Sequence, residues 1–299
     1  TPVDYVGLVG NGEVEDHILT VITDRERCDH NCEGKEYWLT FPGNYAPDPD
    51  NPARLSLCLM GAAGIVANVS IPGLGLSTNV VIPAAQAVNV PLPRAAELGD
   101  LSDVVTNLGI HVISSAPISI TAFNHARQTT DSYMALQKSV LGTKHIVQGY
   151  ANKQTGVPPL NGTQFALVAC ESNTVVAIRP TANAGARLAG VPYLMVLQPG
   201  EAYQLRSTND APADLSGTLI VSDKPIAVFG SHQIANVASS DLWFCDYLVE
   251  QTLPVNTWGQ DFYTAPFATR SGGDTFRLLA AQNNTLTAIN GVLQPAMNL

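Results

Sequence analysis

The residues best suited to chemistry in this chain are its cysteines and the polar segment around two of them. Within Asp24–Glu33, Cys28, His30 and Cys32 offer two thiolates and one imidazole to a metal ion. Structural zinc usually takes four ligands in spaced pairs, and no second pair follows downstream. We therefore predict disulfides rather than a metal site. The candidate cysteines are Cys28, Cys32, Cys58, Cys170 and Cys245, an odd number that leaves at least one thiol free or paired between chains.

Other polar groups lack the spacing that catalysis or metal binding requires. The acidic segment Asp48–Pro52 lacks the spaced acidic ladder and distal Glu of an EF-hand, so we predict an acidic turn and no cofactor, with calcium as the alternative. His125 and His232 follow similar Pro-Ile strands, which indicates a duplicated functional site or, as we favour, a duplicated structural turn. Because no nucleophile elbow, phosphate loop or dinucleotide fingerprint occurs, we predict that the protein is not an enzyme.

The composition favours an extracellular β protein. Charged residues make up 13% of the 299 residues, against about 25% in typical domains, and the formal net charge is −10. No run of Lys or Arg is present, so we expect no nucleic-acid partner. Apolar stretches end well before the roughly 20 residues that cross a bilayer, so we expect no membrane insertion. We predict an extracellular or cell-surface location.

Short β-branched runs bounded by Gly, Pro and Asn recur along the whole chain. The segment from Gly64 to Pro72 and the segment from Gly217 to Ser222 are examples. Such runs at regular spacing predict an all-β fold of antiparallel sandwich type. Helical periodicity is confined to Asp131–Leu141 and Asp241–Leu253, which we predict to be short helices.

An internal repeat of about 110 residues organises these runs. Phe165–Ile178 matches Phe276–Ile289 at seven of fourteen positions, and Gly109–Ile120 matches Gly217–Val228. We predict two β-sandwich-like units and the start of a third. The predicted divisions are residues 1–34 (terminal strand and cysteine-containing linker), 35–163 (first unit), 164–273 (second unit) and 274–299 (partial third repeat, packed on the second unit or on a neighbouring chain).

Several motifs in a fixed order resemble a known family. Glu36–Asn44, Ser222–Phe229, Cys245–Gln251 and Gly273–Arg277 together resemble the N-terminal domain of IgGFc-binding proteins over about residues 35–299. The resemblance implies an adhesive or mucus-type structural role, and it supplies no catalytic residues to carry over to this chain. The family often carries a Cys where this chain has Ile234. If that Cys pairs in the family with the one at Cys245, the local disulfide is missing here, and Cys245 needs another partner or remains free.

The segment near the N-terminus carries a second likeness. Asn11–Val21 resembles the closing strand of GEVED domains, with His17 in place of an aromatic residue. This likeness favours a bacterial surface protein.

Two functions remain open at this point. The leading hypothesis is a structural or adhesive protein that self-associates into a filament or surface layer by β-strand addition. The candidate assembly strand is Val14–Ile22, with Val14, His17, Leu19 and Val21 as its key residues. The alternative is a monomeric recognition module whose loops bind glycoprotein, polysaccharide or mucus components.

Overall fold

The computed structural model describes residues 33–45, 52–127, 129–153, 161–237, 245–265, 274 and 276–298. Its strands are β1 (Gly34–Leu39), β2 (Arg54–Met60), β3 (Val66–Ile71), β4 (Leu76–Val81), β5 (Ala87–Leu92), β6 (Val104–Thr106), β7 (Ile110–His125), β8 (Thr130–Met134), β9 (Gly142–Ile146), β10 (Thr163–Ala169), β11 (Thr174–Arg179), β12 (Tyr193–Leu197), β13 (Ala202–Ser207), β14 (Leu219–Ala235), β15 (Asp246–Gln251), β16 (Ala288–Ile289) and β17 (Val292–Leu293). The helical segments are 3₁₀ turns of three residues each, at Pro72–Leu74, Arg94–Ala96, Lys138–Val140 and Val255–Thr257.

Two antiparallel sheets with the same plan make up most of the molecule. The first has the strand order β4-β3-β7-β2-β5, and β1 and β8 also pair with β7. The second has the order β12-β11-β14-β10-β13-β6, and β9 and β15 also pair with β14. In each sheet one long strand therefore has four partners. The predicted all-β fold of two sandwich-like units is confirmed.

The pairing registers repeat as the strand order does. Leu55 on β2 faces Asn124 on β7, and Thr163 on β10 faces His232 on β14. Both members of the second pair lie 108 positions after those of the first, so the units superpose residue for residue along these strands. The predicted division at residue 163 stays a prediction, and β9, which precedes it, pairs with β14 of the second sheet.

The two predicted helices are wrong for the residues that the structure describes, apart from the 3₁₀ turn at Lys138–Val140. Thr130–Met134 is strand β8, in which Asp131 and Tyr133 point inward and their neighbours are more exposed. Asp246–Gln251 is strand β15. Each strand fills the free side of a long strand, β7 for β8 and β14 for β15, and this tertiary pairing outweighs weak local periodicity.

The second unit is buried on both sides along its central strands. All seven residues of β10 are buried, whereas β2 alternates between buried and partly exposed residues. One face of β10 contributes Phe165 and Leu167 to the core inside the second unit. The opposite face contributes Ala166 and Val168 to a core shared with the first unit. The units therefore pack directly against each other.

Hydrogen bonds from buried tyrosines reinforce this shared core. Tyr133 packs edge-on against Phe229, with ring centroids 5.2 Å apart, and its hydroxyl donates to the Thr40 carbonyl at 2.7 Å. The Tyr247 hydroxyl donates to the Pro42 carbonyl at 2.8 Å. The chain that follows β1 is thus held between the two sheets, which fixes how the units are oriented.

Candidate functional site

Strand β12 forms the end of the second sheet. It pairs with β11, and no other strand of the described residues lies beside it. Leu194 and Val196 are 73% and 57% exposed, while Leu197 is buried. Residues 191–199 carry no charged side chain. An uncharged, apolar edge strand with unpaired backbone groups is a template for pairing with another chain.

The exposed residues of β12 continue into an apolar face across three strands. Val196 pairs in register with Val175 on β11, and Leu194 pairs with Ala177. Ala177 pairs in turn with Val221 on β14. Val175 and Val221 are 39% and 40% exposed. We call these five residues, Val175, Ala177, Leu194, Val196 and Val221, the β12 face.

The first unit is polar at the centre of the corresponding surface. Where the second unit pairs Ala177 with Leu194, the first pairs Asn68 with Asn79. The Asn68 amide donates to the Asn79 side-chain oxygen at 2.9 Å, so these polar groups satisfy each other. Of the two units, the second therefore has the apolar centre. Because the first unit folds with two asparagines at the same place, the fold itself does not require apolar residues there.

A long loop positions the start of β12. Residues 180–192 connect β11 to β12, whereas residues 72–75 make the equivalent connection in the first unit. The loop is held by Arg187, whose Nε donates to both carboxylate oxygens of Asp103 at 2.9 Å. The Arg187 guanidinium also lies 4.0 Å from the centre of the Tyr193 ring. These contacts fix the end of β12 at which the loop meets the strand.

The hydroxyls beside this arginine form a partly buried hydrogen-bonded series. Tyr193 and Tyr203 are hydrogen-bonded through their hydroxyls at 2.7 Å, and the Tyr203 hydroxyl donates to Asp103 at 2.9 Å. Burial raises the pKa of Tyr193 to about 12, so its hydroxyl stays protonated at neutral pH. The hydrogen-bonded hydroxyls therefore support β12 in a fixed position and do not titrate at neutral pH.

A polar cleft opens beside the same loop. It has a volume of about 420 Å³ and lies between residues 181–183 and 209–214. Its walls include Asn183, Asn209 and Asp210, and also Asp214, which binds the Arg277 guanidinium at 2.9 Å. Amide and carboxylate walls suit a polar ligand such as a sugar. The cleft and the β12 face are two candidate surfaces of the second unit.

The part of the chain that contains the second unit matches a known protein family. A family model described as IgGFc binding protein matches residues 131–299, more than half of the chain. The chain belongs to the IgGFc-binding family. It is 26% identical to the human IgGFc-binding protein over 281 residues, which is 92% of this chain and 5% of the human protein. The chain therefore spans about one twentieth of that relative's length. No solved structure matches.

Three cysteines of this IgGFc-binding family member lie among the residues that the structure describes. Cys58, Cys170 and Cys245 make no disulfide with one another. Burial raises the pKa of the Cys170 thiol to about 12, which keeps it protonated and unreactive. Cys28 and Cys32 lie outside the described residues, so a disulfide to either stays a prediction.

Other predicted features also fall outside the described residues. The assembly strand Val14–Ile22, with Val14, His17, Leu19 and Val21, is among them, and so are Asp48 and Asp50 of the acidic turn. The GEVED-like strand is not shown by the family match, which begins at residue 131.

His125 and His232 are not equivalent positions. His125 is exposed at the end of β7, whereas His232 is buried, and the residue that aligns with His232 in the first unit is Asn124. Burial lowers the pKa of His232 to about 3, so the ring is neutral, and its Nε2 lies 2.9 Å from the Asn152 side-chain oxygen. The histidine serves a buried structural network and does not belong to a duplicated site.

Sequence reasoning missed the β12 face. Tyr193–Leu197 is an uninterrupted apolar run, and such a run predicts a strand that is buried on both faces. The missing information was that β12 ends a sheet, which depends on the pairing of distant strands. Residues 191–199 carry no charge, but residues 55–93 carry none either, so charge alone does not single out β12 in the sequence.

Proposed function

We propose that this chain is an extracellular recognition module that binds a glycoprotein through the β12 face. The exposure of Leu194 and Val196 on an open, uncharged edge strand is the observation that supports this proposal. Exposed apolar patches on soluble proteins mark interaction sites, because leaving them in water costs free energy that a partner recovers.

The partner is expected to bind as an added strand or as an apolar surface laid on the face. Strand addition would supply main-chain hydrogen bonds to β12, while Val175, Val196 and Leu194 would contact alternate side chains of the partner. The polar cleft at residues 181–183 and 209–214, whose walls include part of the loop that leads into β12, would take a sugar attached to the same partner. A glycoprotein satisfies both surfaces at once.

Family membership supports a protein partner of this kind. The human relative is named for binding the Fc part of immunoglobulin G, and we extend glycoprotein binding from that name to this chain as a proposal. The extracellular location rests on the same relationship and on the low charge content. Among the described residues no helix is long and apolar enough to cross a membrane.

We further propose that the module acts by binding alone, without catalysis or a cofactor. The described residues contain no group of three or more His, Cys, Asp or Glu side chains placed to hold a metal ion. Side chains whose pKa is shifted, such as His232 and Tyr193, have hydrogen-bond partners within the fold and contribute to its packing.

A binding screen with a matched substitution tests the proposed function. The chain would be passed over immobilised immunoglobulin Fc, mucin-type glycoprotein and the same glycoproteins after enzymatic removal of their glycans. We expect binding to at least one glycoprotein, and loss of that binding in Leu194→Asn, which introduces the residue found at the equivalent Asn79. Asn79→Leu is the control and should bind as the wild type does. A screen that stays silent at high concentration, or a Leu194→Asn variant that binds normally, would contradict the proposal.

Self-association is the second candidate function, favoured by the same open edge. Two copies of β12 could pair antiparallel about a two-fold axis, which would bring Leu194 of one copy near Val196 of the other. Sedimentation velocity over a wide concentration range distinguishes the candidates, since self-pairing predicts a concentration-dependent dimer that Val196→Asp abolishes. If copies associate instead by adding the strand Val14–Ile22 to a neighbouring sheet, deletion of residues 1–27 should abolish assembly.

A further inference from the structure

One carboxylate oxygen of Glu36, on β1 of the first unit, has three polar partners. Its Oε1 lies 3.1 Å from Lys138 Nζ, 3.1 Å from His111 Nε2 and 3.2 Å from Trp38 Nε1. The Trp38 ring stacks on the His111 ring, with the ring centroids 3.8 Å apart. Because these side chains surround the carboxylate with donors, the first unit compensates this charge by itself.

The second unit carries the opposite charge at the equivalent position. Glu36 pairs in register with Ile113 on β7, and Lys144 on β9 pairs with Val221 on β14. Val221 lies 108 positions after Ile113, which is the offset that relates the other strands of the two sheets. A base in the second unit therefore stands where the first unit has an acid.

The three partners of Glu36 are replaced by apolar residues in the second unit. Trp38, His111 and Lys138 correspond, in that order, to Ile146, Leu219 and Val255. Lys138 and Val255 each begin the 3₁₀ turn that follows β8 or β15. Among the residues that the structure describes, Lys144 is exposed and forms no ion pair with a carboxylate. The second unit thus keeps one charge of the pair and lacks the other.

A pocket with a volume of about 400 Å³ opens beside Lys144. Lys144 lines it together with three apolar residues and two neutral polar ones, namely Leu141, Pro225, Val255, Thr143 and Asn256. Pockets of this size bind small molecules through apolar walls and a few polar groups. One cation, one hydroxyl and one amide on apolar walls match a sugar ring that carries an acidic group.

We propose that this pocket binds an acidic sugar and that Lys144 pairs with the carboxylate or sulfate group of that sugar. The first unit places opposite charges on its strand and on its 3₁₀ turn, at Glu36 and Lys138. The second unit supplies only the charge on the strand, so a bound anion would complete the pair. Because the net charge of the chain is −10, attraction of an anion depends on this local cation.

The pocket lies at one end of a row of residues that crosses the β12 face. Leu194 on β12 pairs with Ala177, and Ala177 pairs with Val221. Val221 pairs in turn with Lys144, which ends the row with a charge after three apolar residues. The inference rests on the proposed function only for the source of the sugar, since a glycoprotein on the β12 face would present it. Binding of the sugar itself can be measured without that partner.

Two-dimensional amide NMR spectra of the whole chain test the proposal. Sialyllactose, sulfated lactose and unmodified lactose would each be added up to about 10 mM. We expect the backbone signals of Thr143, Lys144 and Asn256 to shift with at least one acidic sugar and to stay in place with lactose. The sugar that causes the shifts identifies the acidic group. Raising the salt concentration from about 0.05 M to about 0.5 M should weaken this binding, because salt screens an exposed pair of charges.

Substitutions at Lys144 separate its charge from its size. Lys144→Gln should weaken binding of the acidic sugar about tenfold or more, and Lys144→Arg should bind within about threefold of the wild type. Lys35→Gln is the matched control, since Lys35 is an exposed lysine on β1 and should bind as the wild type does. The double variant Lys144→Glu with Val255→Lys copies the pair of the first unit. It should fold as the wild type does and bind no acidic sugar.

Three results would overturn the proposal. They are the absence of shifts with both acidic sugars, equal shifts with lactose, and wild-type affinity in Lys144→Gln or in the double variant. These results are independent of the glycoprotein screen. A silent screen together with sugar-induced shifts at Lys144 would count against the β12 face alone, and binding in the screen without such shifts would count against the pocket alone.

Discussion

Asp131 on β8 accepts a hydrogen bond from the backbone N–H of Val249 on β15, at 2.7 Å. The relationship is reciprocal, since Asp246, the first residue of β15, accepts from the Thr130 N–H at 2.9 Å. β8 belongs to the first sheet and β15 to the second, and no backbone ladder joins them. Two buried carboxylates therefore connect the edges of the two units and satisfy amides that would otherwise lack partners.

Removing the Asp131 carboxylate should destabilise the contact between the units. In Asp131→Ala the Val249 amide loses its acceptor in a buried position, so we expect unfolding free energy to fall by about 2 kcal/mol. Asp223→Ala is the control, because Asp223 makes the same kind of bond to the Val175 N–H in an exposed position. Denaturant unfolding measures both. Equal losses in the two variants would contradict a special role for Asp131.

Glu97 makes stability depend on pH. Burial raises the pKa of its carboxyl above 4.5, although bonds from the Asn124 amide and the Asn44 N–H oppose the shift. The folded chain then holds this proton at a pH where the unfolded chain has lost it. Stability from this group is present below pH 4.5 and is lost as pH rises through the folded-state pKa.

The variant Glu97→Gln isolates that effect. Both bonds to Glu97 end on Oε1, and glutamine retains an oxygen acceptor without the charge. We expect the difference in unfolding free energy, variant minus wild type, to rise as the pH increases from 4.5 to 7.5. Urea titrations at several pH values give this difference. A difference that stays flat, or that falls with pH, would show that Glu97 is not the titrating group.

Asn152 should be among the most sensitive positions in the second unit. Its side-chain oxygen accepts from the Gly162 and Thr163 amides, and its amide donates to the Ser207 and Asn209 carbonyls. Asn152→Ala leaves these buried groups unpaired, so we expect a loss of about 3 kcal/mol in unfolding free energy. The exposed Asn209→Ala should lose less than about 0.5 kcal/mol. Thermal unfolding of both variants would show a large gap in melting temperature, and the absence of a gap would contradict the network's importance.

The sequence was most informative where the structure repeats a local pattern. The match of Phe165–Ile178 with Phe276–Ile289 indicated a repeated unit, and in the first of these segments β10, a turn and β11 form that unit. The sequence was least informative where the pairing of strands far apart in the chain determines the position of a residue. His125 and His232 each follow a Pro-Ile pair, but His232 stands one position closer to its pair than His125 does. A difference of one residue along a strand places a side chain on the opposite face of the sheet.

The site depended even more on tertiary pairing. Burial on both sides of β10 comes from the first unit packing on the second, which no local pattern reveals. The exposure of β12 depends in the same way on its place at the end of the sheet order. Composition and periodicity therefore predicted the class of fold, while the binding surface required the register of the strands.

The most direct test of the account compares the same substitution in the two units. Val196 and Val81 are both 57% exposed and hold equivalent positions, paired with Val175 and Val66 respectively. Affinity for the glycoprotein that binds in the screen would be measured by surface plasmon resonance for Val196→Asp and Val81→Asp. The account predicts that Val196→Asp weakens binding about tenfold or more, a loss of about 1.4 kcal/mol, while Val81→Asp leaves affinity unchanged. Equal effects of the two substitutions, or normal binding by Val196→Asp, would contradict recognition through the β12 face.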